Sequence, residues 1–329
     1  MKAAAFRRIL SIAMLTAVCA GVATAKLPAQ DKSEGKDVTV HQGEMVERYG
    51  KPYVMVTVNG RGPYRFVIDT GTSGEALVTP ELADVLGLPT VGQISLSDSS
   101  GQGSRKVPTV LIESLELAGV RFANVRAVRH AFFAEAGNCD GVLGFKLFRN
   151  YLLTLDFPNR QVVLTTGALT EDGGKSVLPF RMPEGVPTIR LKVDSQKQVE
   201  AELDSGGGGL MLPETLAARL KYDVDPVVFA SGRTVSTSFE LQEGKLASDV
   251  KLGRYTFTHP VVEIRPAFPL VNFGSPPMQI FAVTFDQKNL LVRFKSNRRR
   301  FKLAAPATPP LPLNEPIASP TATNLVPIG

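Results

Sequence analysis

The 329-residue chain carries the same pattern twice, and a sequence built from two copies of one unit is constrained to fold as two copies of one lobe. Val54, Val56 and Val58 recur at every second position. So do Ile189, Leu191 and Val193, 135 residues later, and this is the period of a half-buried strand. A polar turn follows in each copy (Asn59-Gly60-Arg61-Gly62 and Asp194-Ser195-Gln196-Lys197), then a second strand. These end in Phe66-Val67-Ile68-Asp69-Thr70-Gly71 and Ala201-Glu202-Leu203-Asp204-Ser205-Gly206. Further on, Leu77–Ala83 matches Leu210–Leu216, with Pro80 and Pro213 expected as first residues of short helices. Leu117–Phe122 matches Leu252–Phe257, Gly141–Gly144 matches Val271–Gly274, and Leu153–Asp156 matches Val283–Asp286. Short strands punctuated by 29 Gly and 24 Pro indicate an all-β fold of two pseudo-symmetric barrel-like lobes. The lobes are expected at residues 50–165 and 185–296, with an extension at 26–49 and a linker at 166–184.

The net charge of +6 invites nucleic acid as a partner, but its distribution argues otherwise. Lys2, Arg7 and Arg8 account for three charges, and the chain from Lys295 onward for a net four, so the body between them is at −1. The first three form the positive head of an expected signal peptide over residues 1–25. The apolar run Ile9–Ala20 and the small-residue site Ala23-Thr24-Ala25 complete it. Twelve residues are too few for a bilayer, which needs about 20, so no membrane span is expected once the signal is cut. A periplasmic or secreted product follows, in which Cys139 is the only cysteine left and no internal disulfide forms. Residues 304–329, rich in Pro, Thr and Ala, read as a disordered tail. The Arg298–Arg300 cluster before it reads as a solvated charge run.

In each copy a carboxylate ends an apolar strand and enters a tight turn of a small hydroxyl residue and Gly, which permits positive φ and close approach of backbone. If a pseudo-two-fold axis relates the lobes, Asp69 and Asp204 can meet at the interface. Two carboxylates in contact cannot readily both ionise, so such a pair shares one proton and titrates as a unit.

The segment Phe66–Ser73, followed 75 residues after the Asp by Val142-Leu143-Gly144, resembles the retropepsin-type aspartic proteases. With the second copy, Asp204-Ser205-Gly206 and Phe273-Gly274, the whole body is similar to a fused, pepsin-like pair of such lobes. The resemblance implies an aspartic endopeptidase with Asp69 and Asp204 as catalytic pair and a peptide or protein as substrate, needing no metal or cofactor. Thr70 and Ser205 would brace the opposite loop, Gly71 and Gly206 would let it turn, and Thr72 would hydrogen-bond a carboxylate. Gln93–Val107 would be a flap over the substrate, with Ser99, Gly101 and Gly103 near its tip, and Phe229–Phe239 its counterpart.

The second copy departs from the first. Its loop is two residues shorter before Pro213, Gly207 stands opposite Thr72, and Asn272 and Ser275-Pro276-Pro277 alter the second hydrophobic-Gly segment. No Tyr lies in Gln93–Val107. The same residues leave two other readings open, a catalytically silent peptide-binding module and a homodimer that pairs Asp69 from two chains; a monomer fits the duplication. The likeness of Val67–Thr72 to the phosphate loop of actin-like ATPases sits poorly with export and with the repeat. No Lys-Ser/Thr follows Gly206–Gly209 to make a phosphate-cradling loop. His41, His130 and His259 lack metal-ligand spacing, and Cys139 reads as a small buried residue.

Overall fold

The computed structural model of the chain describes residues 15–16, 38–48, 50–98, 104–131, 139–194, 197–233, 238–266 and 269–303. Leu15 and Thr16 pair through their backbone with Asp98 and Ser97 at one sheet edge. The rest of the expected signal, the tail 304–329 and the flap residues Ser99, Gly101 and Gly103 lie outside the described residues.

The protein is predominantly β, with two β-rich repeats. In the first, the strand Lys51–Val58 pairs with Arg61–Asp69, and Thr57 and Val58 also pair with Glu116 and Leu115 of Ser104–Leu117, closing the sheet on itself. In the second repeat Thr188–Val193 likewise pairs with Lys197–Leu203, and its Lys192 and Val193 pair with Lys251 and Val250. Each aspartate strand lies parallel to the strand of its hydrophobic-Gly segment: Ile68 stands beside Leu143, and Leu203 beside Phe273. Sequence pattern and register therefore agree in both halves.

The matched helices differ slightly. Pro80 opens the helix Pro80–Leu86, capped by the Thr79 side chain, which accepts from the Leu82 N–H at 3.2 Å. Pro213 instead ends a strand and directly precedes the one-turn helix Glu214–Ala217. Thr90–Asp98 and Ser104–Leu117 form a hairpin, with Ile94 opposite Val107. Tyr222–Arg233 and Ser238–Leu246 form its counterpart in the second lobe.

A third sheet joins the lobes. Leu152–Asp156 and Ala282–Asp286 pair antiparallel about Thr154 and Thr284, whose hydroxyls are 2.9 Å apart, and this marks the pseudo-two-fold axis. Val40–Glu44, from the N-terminal extension, forms an edge of this sheet beside Gln161–Thr165, and Val177–Pro179, from the linker, forms the other beside Leu291–Lys295. Asp172 fastens the linker, accepting from the backbone N–H groups of Lys175, Ser176 and Val177. The arginines of the charge run, Arg298–Arg300, are exposed as expected, while Arg300–Phe301 adds a short parallel strand to the second lobe and Phe301 packs on Tyr255, Phe257 and Phe281.

Phenylalanines fill the core. Phe273, Phe281 and Phe294 meet edge to face in the second lobe, and Phe145 bridges the lobes, 5.3 Å from Phe285 between ring centroids. Phe145→Ala is expected to cost about 3–5 kcal/mol by opening a cavity at this junction, read as a lowered urea midpoint. A loss below about 1 kcal/mol would show that the lobes do not depend on this contact.

Candidate active site

Strand alternation decides where the aspartates point. Phe66 and Ile68 turn into the core, so Val67 and Asp69 take the opposite face; Ala201 and Leu203 turn inward and leave Glu202 and Asp204 opposite. The turns after Asp69 and Asp204 then meet across the lobe interface. Thr70 Oγ1 donates to the Leu203 carbonyl at 2.7 Å and accepts from the Ser205 N–H at 3.0 Å. Ser205 Oγ donates to the Ile68 carbonyl at 2.7 Å and accepts from the Thr70 N–H at 3.0 Å. All four bonds are buried and cross between lobes.

This lattice presses each aspartate against the opposite turn. A Cβ on Gly71 would stand 2.6 Å from Asp204 Cγ, and one on Gly206 would collide with the Asp69 carboxyl. Glycine is required here by close approach; neither residue has positive φ. The two carboxyls are within hydrogen-bonding reach of each other and nearly buried, Asp69 at 6% exposure and Asp204 at 1%. Gly71 N–H donates to Asp69 Oδ1 and Gly206 N–H to Asp204 Oδ1, both at 2.9 Å.

The outer oxygens are held differently. Thr72 Oγ1 donates to Asp69 Oδ2 at 3.1 Å. Gly207 offers no hydroxyl, but Asn272 Nδ2 donates to Asp204 Oδ2 at 3.0 Å. A Cβ on Gly207 would lie 2.6 Å from Asp204 Oδ2 and 2.7 Å from Asn272 Oδ1, so the Gly makes room for the Asn. Two departures that looked like separate losses in the sequence thus form one replacement.

A family model described as aspartyl protease matches the chain twice, over residues 54–147 and 189–279. The chain belongs to the aspartyl protease family. Among curated proteins, none matches it significantly. The two matches coincide with the two β-rich repeats, in keeping with a two-lobed, retropepsin-like member.

The pair sits in an unusually charged setting for this buried interface. Burial and then the neighbouring Asp204 charge push the Asp69 carboxyl well above the ordinary carboxylate range. Lys51 acts against this. Tyr53 stands opposite Val67, and continuing that register puts Lys51 opposite Asp69; the same reckoning from Thr188 and Glu202 puts Val186 opposite Asp204. Burial lowers the Lys51 pKa, and the Asp69 and Asp204 charges oppose that shift. Glu202 is also raised well above its usual range, by burial and then by the charges of Asp204 and Asp69. Arg265, 2% exposed, is lowered to about 10 by burial and is countered by Glu263, Asp204 and Glu202.

Lys51, Glu202, Glu263, Arg265 and Asn272 were not singled out as site residues from sequence. The signal was present in the duplication: Glu202 falls where the first copy has Val67, and Asn272 where it has Val142. Cys139 packs half-buried against the apolar group of Leu77, Leu96, Val107, Val128 and Val142, and burial pushes its thiol up to about 11, which leaves no thiolate near neutral pH. Of the histidines, His41 lies on the sheet joining the lobes and His259 pairs with Asp223 at the surface.

A carboxyl whose folded-state pKa is raised adds stability while it is protonated in both states, and that stability fades as pH rises through the folded-state value. Asp69 therefore strains the fold at neutral pH. Asp204→Asn removes the adjacent charge and is expected to raise the melting temperature near about pH 7, with little gain near about pH 3, where Asp69 is largely protonated in the folded and unfolded states alike. Equal shifts at both values, followed by thermal unfolding, would remove charge repulsion as the cause.

Proposed function

We propose that the chain is an aspartic endopeptidase whose reaction centre is the Asp69–Asp204 pair. The observation that carries the reading is the reciprocal Thr70–Ser205 lattice, which sets two buried carboxyls within hydrogen-bonding reach of each other. With one proton shared between them, the ionised carboxylate takes a proton from a water molecule while the protonated partner donates to the scissile carbonyl oxygen. The water oxygen bonds the carbonyl carbon to give a tetrahedral diol. The first carboxyl then delivers its proton to the amide nitrogen, a diol hydroxyl returns its proton to the other carboxylate as the C–N bond breaks, and acid and amine leave with the pair again holding one proton. Preorganised N–H donors from Gly71 and Gly206 keep both carboxyls oriented throughout.

The substrate would lie as an extended segment in the cleft between the two hairpins. Pairing of Asp69 with Asp204 inside one chain favours a monomer over a homodimer built on Asp69 alone. The signal-like N-terminus supports a reaction in the periplasm or outside the cell; sequencing the mature N-terminus, expected to begin after Ala25, tests that reading.

Asp69→Asn and Asp204→Asn, made separately, are each expected to lower casein or peptide cleavage by about 10²–10⁴-fold or more. Wild-type activity in both variants would overturn the reading, and activity surviving only in Asp204→Asn would point to the homodimer. No cleavage by the intact protein from acidic to neutral pH would leave a peptide-binding module.

Lys51 gives a second test. Its cation favours the ionised form of the pair, so Lys51→Met should move both limbs of the pH profile of kcat/KM to higher pH. A profile that stays in place or moves to lower pH would remove Lys51 from the electrostatics of the pair.

A further inference from the structure

The two lobes present opposite chemistry to the two sides of the cleft. In the first lobe, the residue two places before Asp69 is Val67, on the same strand face. Beside it across the sheet run Val142, Leu77 and Val128, in adjoining registers. All four are buried, and Leu77, Val142 and Val128 pack under the hairpin residues Leu96 and Val107, apart from the barrel core. In the second lobe the corresponding row is Glu202, Asn272, Met211 and Glu263, continued by Glu243. Its alternate neighbours Leu203, Phe273, Leu212 and Ile264 belong to the core, so this row also takes the face shared with the aspartate.

Three of these positions carry acids where the first lobe carries none. Glu202 lies two residues before Asp204 on the same strand face, opposite the core residues Ala201 and Leu203, which puts it at the cleft. Glu263 is 5% exposed; its Oε1 accepts from the Gly209 N–H at 3.1 Å, and its Oε2, equally buried, has no hydrogen-bond partner. Arg265 offsets one acid, and with Glu243 continuing the row the acidic side chains outnumber this cation three to one. A buried carboxylate oxygen without a donor costs free energy that an incoming donor would recover.

We infer that the second-lobe row is a subsite for a cationic side chain, so that the preferred substrate carries an apolar residue on one side of the scissile bond and Lys or Arg on the other. This rests on the proposed peptidase reading. The pseudo-two-fold axis passes between the aspartates, so the two residues flanking the bond face different lobes, one meeting Val67 and Val142, the other Glu202 and Asn272. The cation's N–H groups pair with an acid of this row, Glu202 beside the aspartate or Glu263 farther across the sheet, and any proton that carboxyl held goes to solvent.

The test is cleavage of a peptide set with one flanking residue held as Leu and the other varied among Lys, Arg, Leu, Gln and Glu, with products located by mass spectrometry. Lys or Arg is expected to be favoured over Leu and Glu by about 10- to 100-fold in kcat/KM. Glu202→Val, which copies the first lobe, should shift the preference toward Leu, and Glu202→Gln should weaken it while keeping the side chain's size; thermal melts check that both variants fold. Preference for Leu on both sides, or for Glu through Arg265, would overturn the inference while leaving the peptidase intact. If the protein cleaves nothing, the peptidase reading fails by itself, and binding of the same peptides by fluorescence anisotropy decides the subsite: tighter binding of Lys and Arg peptides supports it, and equal binding overturns it.

Discussion

Four crossed hydrogen bonds between the Thr70 and Ser205 turns hold the rest of the site in place. Each hydroxyl gives its proton to a carbonyl of the other lobe and accepts from the other hydroxyl residue's backbone, so neither turn is complete alone. Buried bonds of this kind cost more to break than they contribute net, because each broken one leaves a polar group without water. That asymmetry lets the interface hold two carboxyls against each other despite their repulsion. The phenylalanines around Phe145 and Phe285 supply the apolar burial, and the lattice supplies the register.

Around this shared centre the two halves have diverged in charge. One aspartate is flanked by the hydroxyl of Thr72 and stands across from Lys51; the other is flanked by the amide of Asn272, with Val186 across from it and Glu202 beneath. The backbone geometry is conserved between halves while the electrostatics are not. Function in such a site depends on which side chains occupy equivalent places on equivalent strands, because the fold itself treats the two aspartates alike.

The lobes, their strands and the meeting of Asp69 with Asp204 were legible because they depend on alternation, turn residues and repetition, all local or pairwise in sequence. The role of Asn272 was not, since it needed the knowledge that residue 272 lies behind residue 207 in space. Lys51 was hidden for a related reason: a lysine beside a proline at a strand start reads as solvent-exposed until the register puts it opposite Asp69. Glu202 broke an apolar alternation in plain view, yet a lone acid in a strand has many ordinary explanations. Val40–Glu44 carried a weak strand pattern and took its place only because Gln161–Thr165 left an edge to cover.

The sheet joining the lobes, with Thr154 against Thr284, has a consequence for concentration. Two separate chains would assemble such a pair only above their dissociation constant, and dilution would take it apart. Tethered halves see each other at an effective concentration in the millimolar range or above, so the pair persists in dilute surroundings. Tethering also removes a restriction. A dimer of identical chains must put the same residue at both equivalent positions, whereas a fused chain can keep Val67 on one side and Glu202 on the other.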